Sequence, residues 1–335
     1  MMKKTLVALA AVAVTGGAFA QAVMTGSIGY AYFQTQTSAG ATASGMGKDD
    51  ASLNFTMTED IEGLGKLTSK MGVKLNTTDK ASVGRDLSMV LDMGSAGSLK
   101  VDSIYSDDYL SCGIASAGSC VYGSLGSGSI SSVINTFSTP TYNEDLVYKF
   151  KLTDQIALSV AHTESAPNSG ASGEGAGAAG YGNTADYQRY NTYSADYAAG
   201  ALTLNVGYRT FDMANNATSN ANYRHRASFA YDMGVAKIGA GYQQQTYTYG
   251  NTRTDTLVGI SIPLANSPLT LSAQWGTRAK SGNASASSDT TYSGSIYNAV
   301  YKLSNRTNIS GTYATTQDAG TSNPNALVIA LNHSF

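Results

Sequence analysis

The basic side chains of this chain keep to one side of an alternating pattern. Where apolar residues take every second position, lysines and arginines take the positions between them, and within the pattern only Arg85 and Arg189 depart from this rule. The residues that follow it are Lys70, Lys74, Lys100, Lys149, Lys151, Arg209, Arg224, Arg226, Lys237, Arg278 and Lys302. Charges along a narrow aqueous path bias the passage of ions, because low-dielectric walls focus their field. The chemistry that these residues predict is ion selection.

The sequence contains no residue pattern that is suited to covalent catalysis or to metal binding. His162, His225 and His333 are far apart in the sequence and form no nucleophile–base–acid arrangement. The chain has no HExxH motif, no P-loop and no nucleophile elbow. Asp49 and Asp50, which we place in a loop, supply two carboxylates, whereas calcium takes about six to eight oxygen ligands. We therefore expect no enzyme activity, no cofactor and no metal site.

The N-terminus has the features of an export signal. Lys3 and Lys4 precede an apolar run over residues 6–14, and residues 18–20 read Ala-Phe-Ala before Gln21. The run is shorter than the ~20 residues that a spanning helix needs. We interpret residues 1–20 as a cleaved signal peptide and residues 21–335 as a single domain.

The composition narrows the class of protein without deciding it. Only 13% of the residues are charged, about half the usual share of ~25%, while glycine (36) and tyrosine (22) are abundant. The formal net charge of −2 gives no reason to expect nucleic acid as a partner. With an export signal, this composition fits either a transmembrane β-barrel or a secreted β protein.

Sixteen segments show the period-two alternation of β-strands. The first covers residues 23–34, and the last covers 325–335, where Leu327, Ile329 and Leu331 alternate with small or polar residues. Short turns alternate with long connections, which follow about residues 34, 76, 106, 165, 213, 247, 281 and 317. This arrangement predicts an all-β fold, a transmembrane antiparallel β-barrel of 16 strands. A propeller would need internal repeats, and a soluble sandwich needs fewer strands.

The side on which the cations fall indicates which face of the barrel meets water. A Lys or Arg that faces lipid at the bilayer midplane costs ~2–4 kcal/mol, so the polar face is predicted to be the lumen. A barrel of this strand number leaves an aqueous channel. Tyrosines on the opposite face are predicted to form girdles at the membrane interfaces. They include Tyr30, Tyr32, Tyr148, Tyr193, Tyr197, Tyr297 and Tyr301.

Several longer motifs carry a family resemblance over the whole chain. They are MKKTLVALA…AFAQ, FTMTEDIEGLGKLTSKM, FSTPTYNEDLVYKF, YNAVYKLSNRTNISGTYA and the terminal HSF. In combination they resemble the general diffusion porins of Gram-negative bacteria, particularly the β-proteobacterial type. The resemblance implies a homotrimer of 16-stranded barrels surrounded by outer-membrane lipid, with a long third outer loop folded into the pore. It also implies that the outer-membrane assembly machinery reads the terminal aromatic, here Phe335.

The third loop departs from the family pattern. Where members often carry a Pro-Glu-Phe-Gly-Gly type motif, this chain reads DDYLSCGIASAGSCVYGSLGSGS, with Asp107 and Asp108 as its only charges. The acidic side of the constriction is therefore expected to be weak. Cys112 and Cys120 lie in the same loop and are candidates for a disulfide on an oxidising export route. Two reduced thiols are the alternative.

The candidate site is a pore constriction between basic wall residues and the third loop. We expect Lys70, Lys74, Lys100 and Lys149 to face the loop first, because their strands flank it, with Asp107 and Asp108 opposing them. A second basic arc on later strands comprises Arg209, Arg224, Arg226, Arg253 and Arg278. The alternative is that many of these are solvated rim or lumen charges, screened over ~8–10 Å.

These features predict a water-filled outer-membrane channel for passive diffusion of small hydrophilic solutes and ions. Because many acidic residues fall in turns while the cations fall on the lumen face, we expect a mild anion preference. Two alternatives stay open. One is a substrate-specific channel for organic acids or sugars, and the other is a non-conducting structural or adhesive barrel.

Overall fold

The computed structural model describes residues 21–36, 40–75, 82–106, 113–117, 141–166, 188–213, 221–247, 250–282, 290–318 and 324–335. Within them, sixteen strands follow one another along the chain. They are β1 (Gln21–Gln36), β2 (Thr42–Ile61), β3 (Gly65–Leu75), β4 (Ser82–Asp92), β5 (Ser98–Ser106), β6 (Thr141–Lys151), β7 (Ile156–Ala166), β8 (Gln188–Ala199), β9 (Leu202–Met213), β10 (Ala221–Asp232), β11 (Lys237–Tyr247), β12 (Thr252–Pro263), β13 (Leu269–Ser281), β14 (Thr290–Lys302), β15 (Thr307–Asp318) and β16 (Asn325–Ser334).

The sheet closes on itself. Each strand pairs antiparallel with its sequence neighbours, and β1 also pairs with β16, where Tyr30 stands opposite Leu331 and Gln36 opposite Asn325. The predicted 16-stranded antiparallel barrel is thus confirmed. The described residues also hold two 3₁₀ turns, Gly94–Ala96 and Ile114–Ser116, and no helix among them is long and apolar enough to cross a membrane.

The barrel wall has an apolar outside and a polar inside. Large apolar residues that the period-two pattern assigned to the lipid face are exposed, including Ile28, Met89, Val258 and Trp275. The tyrosines predicted to form girdles share this face, and six of the seven are among the exposed large side chains. They are Tyr30, Tyr32, Tyr148, Tyr193, Tyr297 and Tyr301.

The first outer connection is much shorter than the sequence predicts. A long loop was expected after about residue 34, but β1 continues to Gln36 and β2 begins at Thr42. The glycine-rich start of β2 pairs in register, with Gly45 opposite Phe33 and Gly47 opposite Ala31. The Phe33 ring lies beside Gly47, where a Cβ would be 3.4 Å from Phe33 Cε2, and an aromatic neighbour of this kind compensates for the low strand preference of glycine. Loop-like composition was therefore misleading in this segment.

Two β-bulges explain local exceptions to the alternation. In β2 the pairing passes from Ile28–Ala51 to Tyr30–Lys48, so Asp49 and Asp50 together occupy the bulge. These two residues belong to a strand and not to a loop, which corrects the sequence-based placement. In β4 the pairing passes from Met71–Leu87 to Gly72–Arg85. Because a bulge shifts the alternation by one residue, Arg85 takes a backbone position of inward parity and is no longer an exception.

The C-terminal residue completes the barrel seam. The amide of Phe335 donates to the carbonyl of Gly26, and the amide of Gly26 donates to the carbonyl of Phe335, each over 3.0 Å. The ring lies over Gly26, since a Cβ placed there would be 2.5 Å from Phe335 Cζ and 2.8 Å from the carbonyl oxygen of Ser52. Only glycine leaves room for the ring at this point.

We predict that Gly26→Ala lowers the stability of the closed barrel by about 1–3 kcal/mol, the usual cost of overpacking. The methyl group would displace the Phe335 ring from the seam. The measurement is the temperature at which the folded barrel loses its fast electrophoretic mobility. Gly311→Ala is the control, because a Cβ at Gly311 meets nothing within 4 Å. Equal transition temperatures for the two variants would contradict this prediction.

Candidate functional site

The inner face of β10–β13 is organised in rows that run across the strands. One row in from the short-turn end, three neighbouring strands contribute the small residues Ala230, Gly239 and Gly259, which we call the seat row. Two rows further toward the long connections is the inner charged row, Arg226, Gln243, Asp255 and Arg278. Next comes the outer basic row, Arg224, Gln245, Arg253 and Lys280. Strand pairing therefore places several residues of the predicted second arc side by side.

Part of the third loop lies inside the barrel against the seat row. The Ile114–Ser116 turn contacts β9, β10, β11 and β12. A Cβ on Gly239 would lie 2.6 Å from the carbonyl oxygen of Ala115, and one on Gly259 would lie 2.7 Å from the same atom. Ala115 packs on Leu257, and both are buried. The expectation that the third loop folds into the pore therefore holds for the part of the loop that the structure describes.

The docked segment is a self-contained turn of small residues. The carbonyl oxygen of Gly113 accepts hydrogen bonds from the Ser116 amide (3.1 Å) and the Ser116 hydroxyl (2.7 Å). The Ala117 amide donates to the carbonyl oxygen of Ile114 (3.1 Å), and Ala117 has a φ of 55°. Ala115, Ser116 and Ala117 are all buried. A turn that satisfies these backbone groups internally can lie flat against the wall.

The inner charged row contains a buried ionic cluster. Asp255 is 0% exposed and accepts hydrogen bonds from Gln243 Nε2 (2.7 Å) and Arg278 Nε (2.6 Å). A second arginine also contacts this carboxylate, since Arg253 Nε lies 3.2 Å from Asp255 Oδ2. Two guanidinium groups therefore surround one carboxylate. Arg278, predicted as a pore-lining cation, is only 9% exposed, and its charge is directed at Asp255.

Two further arginines of the second arc, Arg209 and Arg224, lie against inward-facing aromatic rings. The guanidinium carbon of Arg209 lies 3.8 Å from the ring centroid of Tyr190, and Arg209 Nε donates to Thr192 Oγ1 over 2.9 Å. The guanidinium carbon of Arg224 lies 5.4 Å from the Phe211 centroid. Arg224 Nε also donates to the amide oxygen of Gln245 over 2.9 Å. Cation–π stacking and these hydrogen bonds hold the guanidinium planes against the wall.

The cations that were expected first are located on a different part of the wall. Lys74, Lys100 and Lys149 each lie near an inward-facing acid. The contacts are Lys74 Nζ–Asp50 Oδ1 (3.8 Å), Lys100 Nζ–Asp102 Oδ2 (2.5 Å) and Lys149 Nζ–Asp196 Oδ2 (2.7 Å). Lys70 is exposed on β3. These strands, β3, β5 and β6, are not the ones that the described turn of the third loop contacts.

Four predicted residues cannot be placed against this geometry. Asp107, Asp108, Cys112 and Cys120 lie outside the described residues, so the acidic side of the constriction and the disulfide stay predictions. Among the residues that are described, no group of three or more His, Cys, Asp or Glu side chains could hold a metal ion.

Sequence reasoning missed Asp255 as the centre of a cluster, and it missed Gly239 and Gly259 as contact points for the loop. A usable signal existed for the glycines. Both occupy inward positions on strands whose outward positions are apolar, and glycine inside a strand often marks a close approach of another backbone. Tyr190 and Phe211 were also missed, because the sequence analysis assigned a role only to tyrosines on the outward face.

We predict that Asp255→Asn destabilises the barrel by about 3–5 kcal/mol, because removing one partner of a buried ion pair leaves uncompensated charge. Urea unfolding of the refolded protein in lipid vesicles measures the free energy. Asp196→Asn is the matched control, since its pair with Lys149 is partly exposed and such pairs contribute only about 0–1 kcal/mol. Similar losses in the two variants would show that the Asp255 cluster has no special role in stability.

Comparison with known proteins agrees with this geometry. A family model described as Gram-negative porin matches residues 5–334. Among solved structures, the anion-selective porin from Comamonas acidovorans is similar with a TM-score of 0.69 at 15% identity, covering 94% of this chain and 100% of that one. OmpT of Vibrio cholerae in a trimer form gives a TM-score of 0.67 at 10% identity, covering 95% and 100%.

A mutant of the Rh. blastica porin gives a TM-score of 0.58 at 11% identity, covering 94% and 100% of the two chains. No curated protein sequence matched the chain. At these identities the solved structures support the fold, and the family model, which covers almost the whole sequence, identifies the family. The chain is a member of the Gram-negative porin family and a protein of the bacterial outer membrane.

Proposed function

We propose that this porin is a passive, water-filled channel for small hydrophilic solutes and ions, with a mild preference for anions. The observation that carries the sign is the charge of the inner wall on β9–β13. Among the described residues of the two charged rows and Arg209 on β9, there are six cations and one acid, Asp255. These cations are Arg209, Arg224, Arg226, Arg253, Arg278 and Lys280.

The position of the rows supports an effect on permeation. Long connections mark the outer side of such barrels and short turns mark the periplasmic side. The two rows lie between the long-connection end and the docked third loop, so an ion entering from outside passes them before it reaches the loop. The Debye length is ~8 Å at physiological salt, so the arginines act on ions that a narrowed lumen keeps close to the wall. The fold likeness to an anion-selective porin agrees with this sign.

A substrate-specific channel for organic acids is the second candidate, and one contact favours it. Phe211 places an apolar ring on the inner wall beside Arg224 and Arg209. A carboxylate attached to an apolar or flat group could interact with both the guanidinium and the ring, whereas chloride uses only the charge. Saturable block of ion current by an aromatic or aliphatic carboxylate, absent with neutral sugars, would favour this candidate over general diffusion.

The assembly is inferred from the family. We infer that three copies form a homotrimer, in line with the trimer form of the Vibrio cholerae neighbour. We also infer that the outer-membrane assembly machinery reads Phe335 before the ring settles over Gly26 at the seam. Residues 1–20 are proposed to be removed on export. No enzyme activity is proposed, since family and fold both favour a channel.

We predict an anion-signed reversal potential in a potassium chloride gradient across a planar bilayer. Replacing Arg224 and Arg226 together by Gln should reduce the anion-to-cation permeability ratio about twofold or more, because both act at the channel mouth. Replacing Lys70 and Lys74 by Gln should have a smaller effect, and replacing Asp107 and Asp108 by Asn should raise the anion preference.

A cation-signed potential for the unmodified porin would reject the proposed selectivity. Complete absence of single-channel steps from folded protein would instead support the non-conducting structural or adhesive barrel. If neither the arginine pair nor the lysine pair changes conductance or selectivity, both parts of the constriction assignment are wrong.

A further inference from the structure

We propose that Gly239 and Gly259 determine the cross-section of the channel, because they allow the Ile114–Ser116 turn of the third loop to lie flat against the inner wall. This inference rests on the proposed function of an open, conducting pore. It adds two specificity-determining positions that carry no charge and contact no solute. Their effect on permeation is exerted through the Ile114–Ser116 turn, which they hold out of the solute path.

The first argument is the distance between two backbones. A Cβ on Gly239 would lie 2.6 Å from the carbonyl oxygen of Ala115 and 2.8 Å from that of Ile114. A Cβ on Gly259 would lie 2.7 Å from the Ala115 oxygen and 2.8 Å from the carbonyl carbon of Ser116. All of these are backbone atoms, so no flexible side chain can rotate away. Any other residue at either position requires the loop or the wall to move.

The second argument identifies which of the two moves. Gly239 and Gly259 are direct partners in the β11–β12 ladder, and β11 and β12 are also paired with β10 and β13. Each strand is therefore held by hydrogen bonds on both edges. The turn is not part of any ladder: the amides of Ser116 and Ala117 donate within the turn itself, and Ala115 packs on Leu257 of the wall. The loop is the weaker partner, and a side chain on the wall would press it toward the channel axis.

The third argument is that the three seat-row residues are all small. Ala230, which precedes Gly239 in the row, is 2% exposed and presents only a methyl group. Three neighbouring strands thus contribute residues with no side chain beyond Cβ where the turn is seated. Glycine inside a strand weakens it and is retained where another backbone approaches closely. The two glycines are paired across one ladder, and both approach the carbonyl oxygen of Ala115.

The test is single-channel conductance of Gly239→Leu and Gly259→Leu, together with the milder Gly239→Ala and Gly259→Ala. The matched control is Gly45→Leu. Gly45 shares the inward face with its partner Phe33, and a Cβ there meets nothing within 4 Å, so this variant adds the same side chain to the inner wall without touching the described turn. Heat-dependent electrophoretic mobility establishes that each variant is folded.

We expect the leucine variants to conduct about half as well as the unmodified porin or less, and the alanine variants to lie between. Liposome swelling with sugars of graded size should give a lower size limit for the same variants. Gly45→Leu should stay within about a tenth of the unmodified conductance.

Unchanged or increased conductance in folded Gly239 and Gly259 variants would overturn the proposal. So would an equal fall in Gly45→Leu, because the effect would then come from filling the lumen and not from moving the loop. If the leucine variants do not fold, the alanine variants decide by the same criteria. Failure of the proposed function is distinguishable from failure of this inference, because the unmodified porin itself would then show no single-channel conductance.

Discussion

The hydrogen-bonded seam between β1 and β16 is the constraint on which the rest of the molecule depends. A bilayer core offers no water to unpaired backbone groups, so a sheet can cross it only when it has no free edge. Here ten residues of β1 stand opposite ten of β16, and the last residue, Phe335, completes the seam with Gly26. Closure converts a simple alternation along each strand into an inside and an outside. Every later property of the wall follows from that separation.

The separation explains why charge in this protein is arranged in rows. Most strand cations lie on the inner face, because a cation at the midplane on the lipid side would cost ~2–4 kcal/mol, and the strand register brings them side by side. Lys48 and Arg189 are exceptions at outward positions. Arg226 and Arg278 come into one row although they are far apart in sequence. Arg278 of this row and Arg253 of the next would repel each other without Asp255, whose carboxylate contacts both guanidiniums. The buried cluster therefore joins β11, β12 and β13 on the inner wall through side-chain contacts.

Much of the fold could be predicted from sequence because period-two alternation is a local property. The alternation located all sixteen strands and most of the inward cations. The bulge in β4 explains why Arg85 departs from the alternation. The segment after residue 34 was misread because glycine, serine and alanine resemble a loop, while its pairing depends on Phe33 across the hairpin. The loop contact with Gly239 and the Asp255 cluster join residues distant in sequence, and such contacts leave no periodic trace. Parity alone could have identified the inward glycines, though not what they contact.

The inner wall thus combines two opposite requirements. A strand in a barrel gains stability from β-branched and aromatic residues, and Gly239 and Gly259 do not make that contribution. The loss is tolerable because the ladder hydrogen bonds on both edges of β11 and β12 hold the strands in register without side-chain contacts. Because these two positions have no side chain, the backbone of the Ile114–Ser116 turn can occupy the space that a side chain would otherwise fill. A closed barrel is stiff enough to carry such weak positions, and an open sheet edge would not be. The closure that excludes lipid is therefore also what permits a loop to be seated inside the channel.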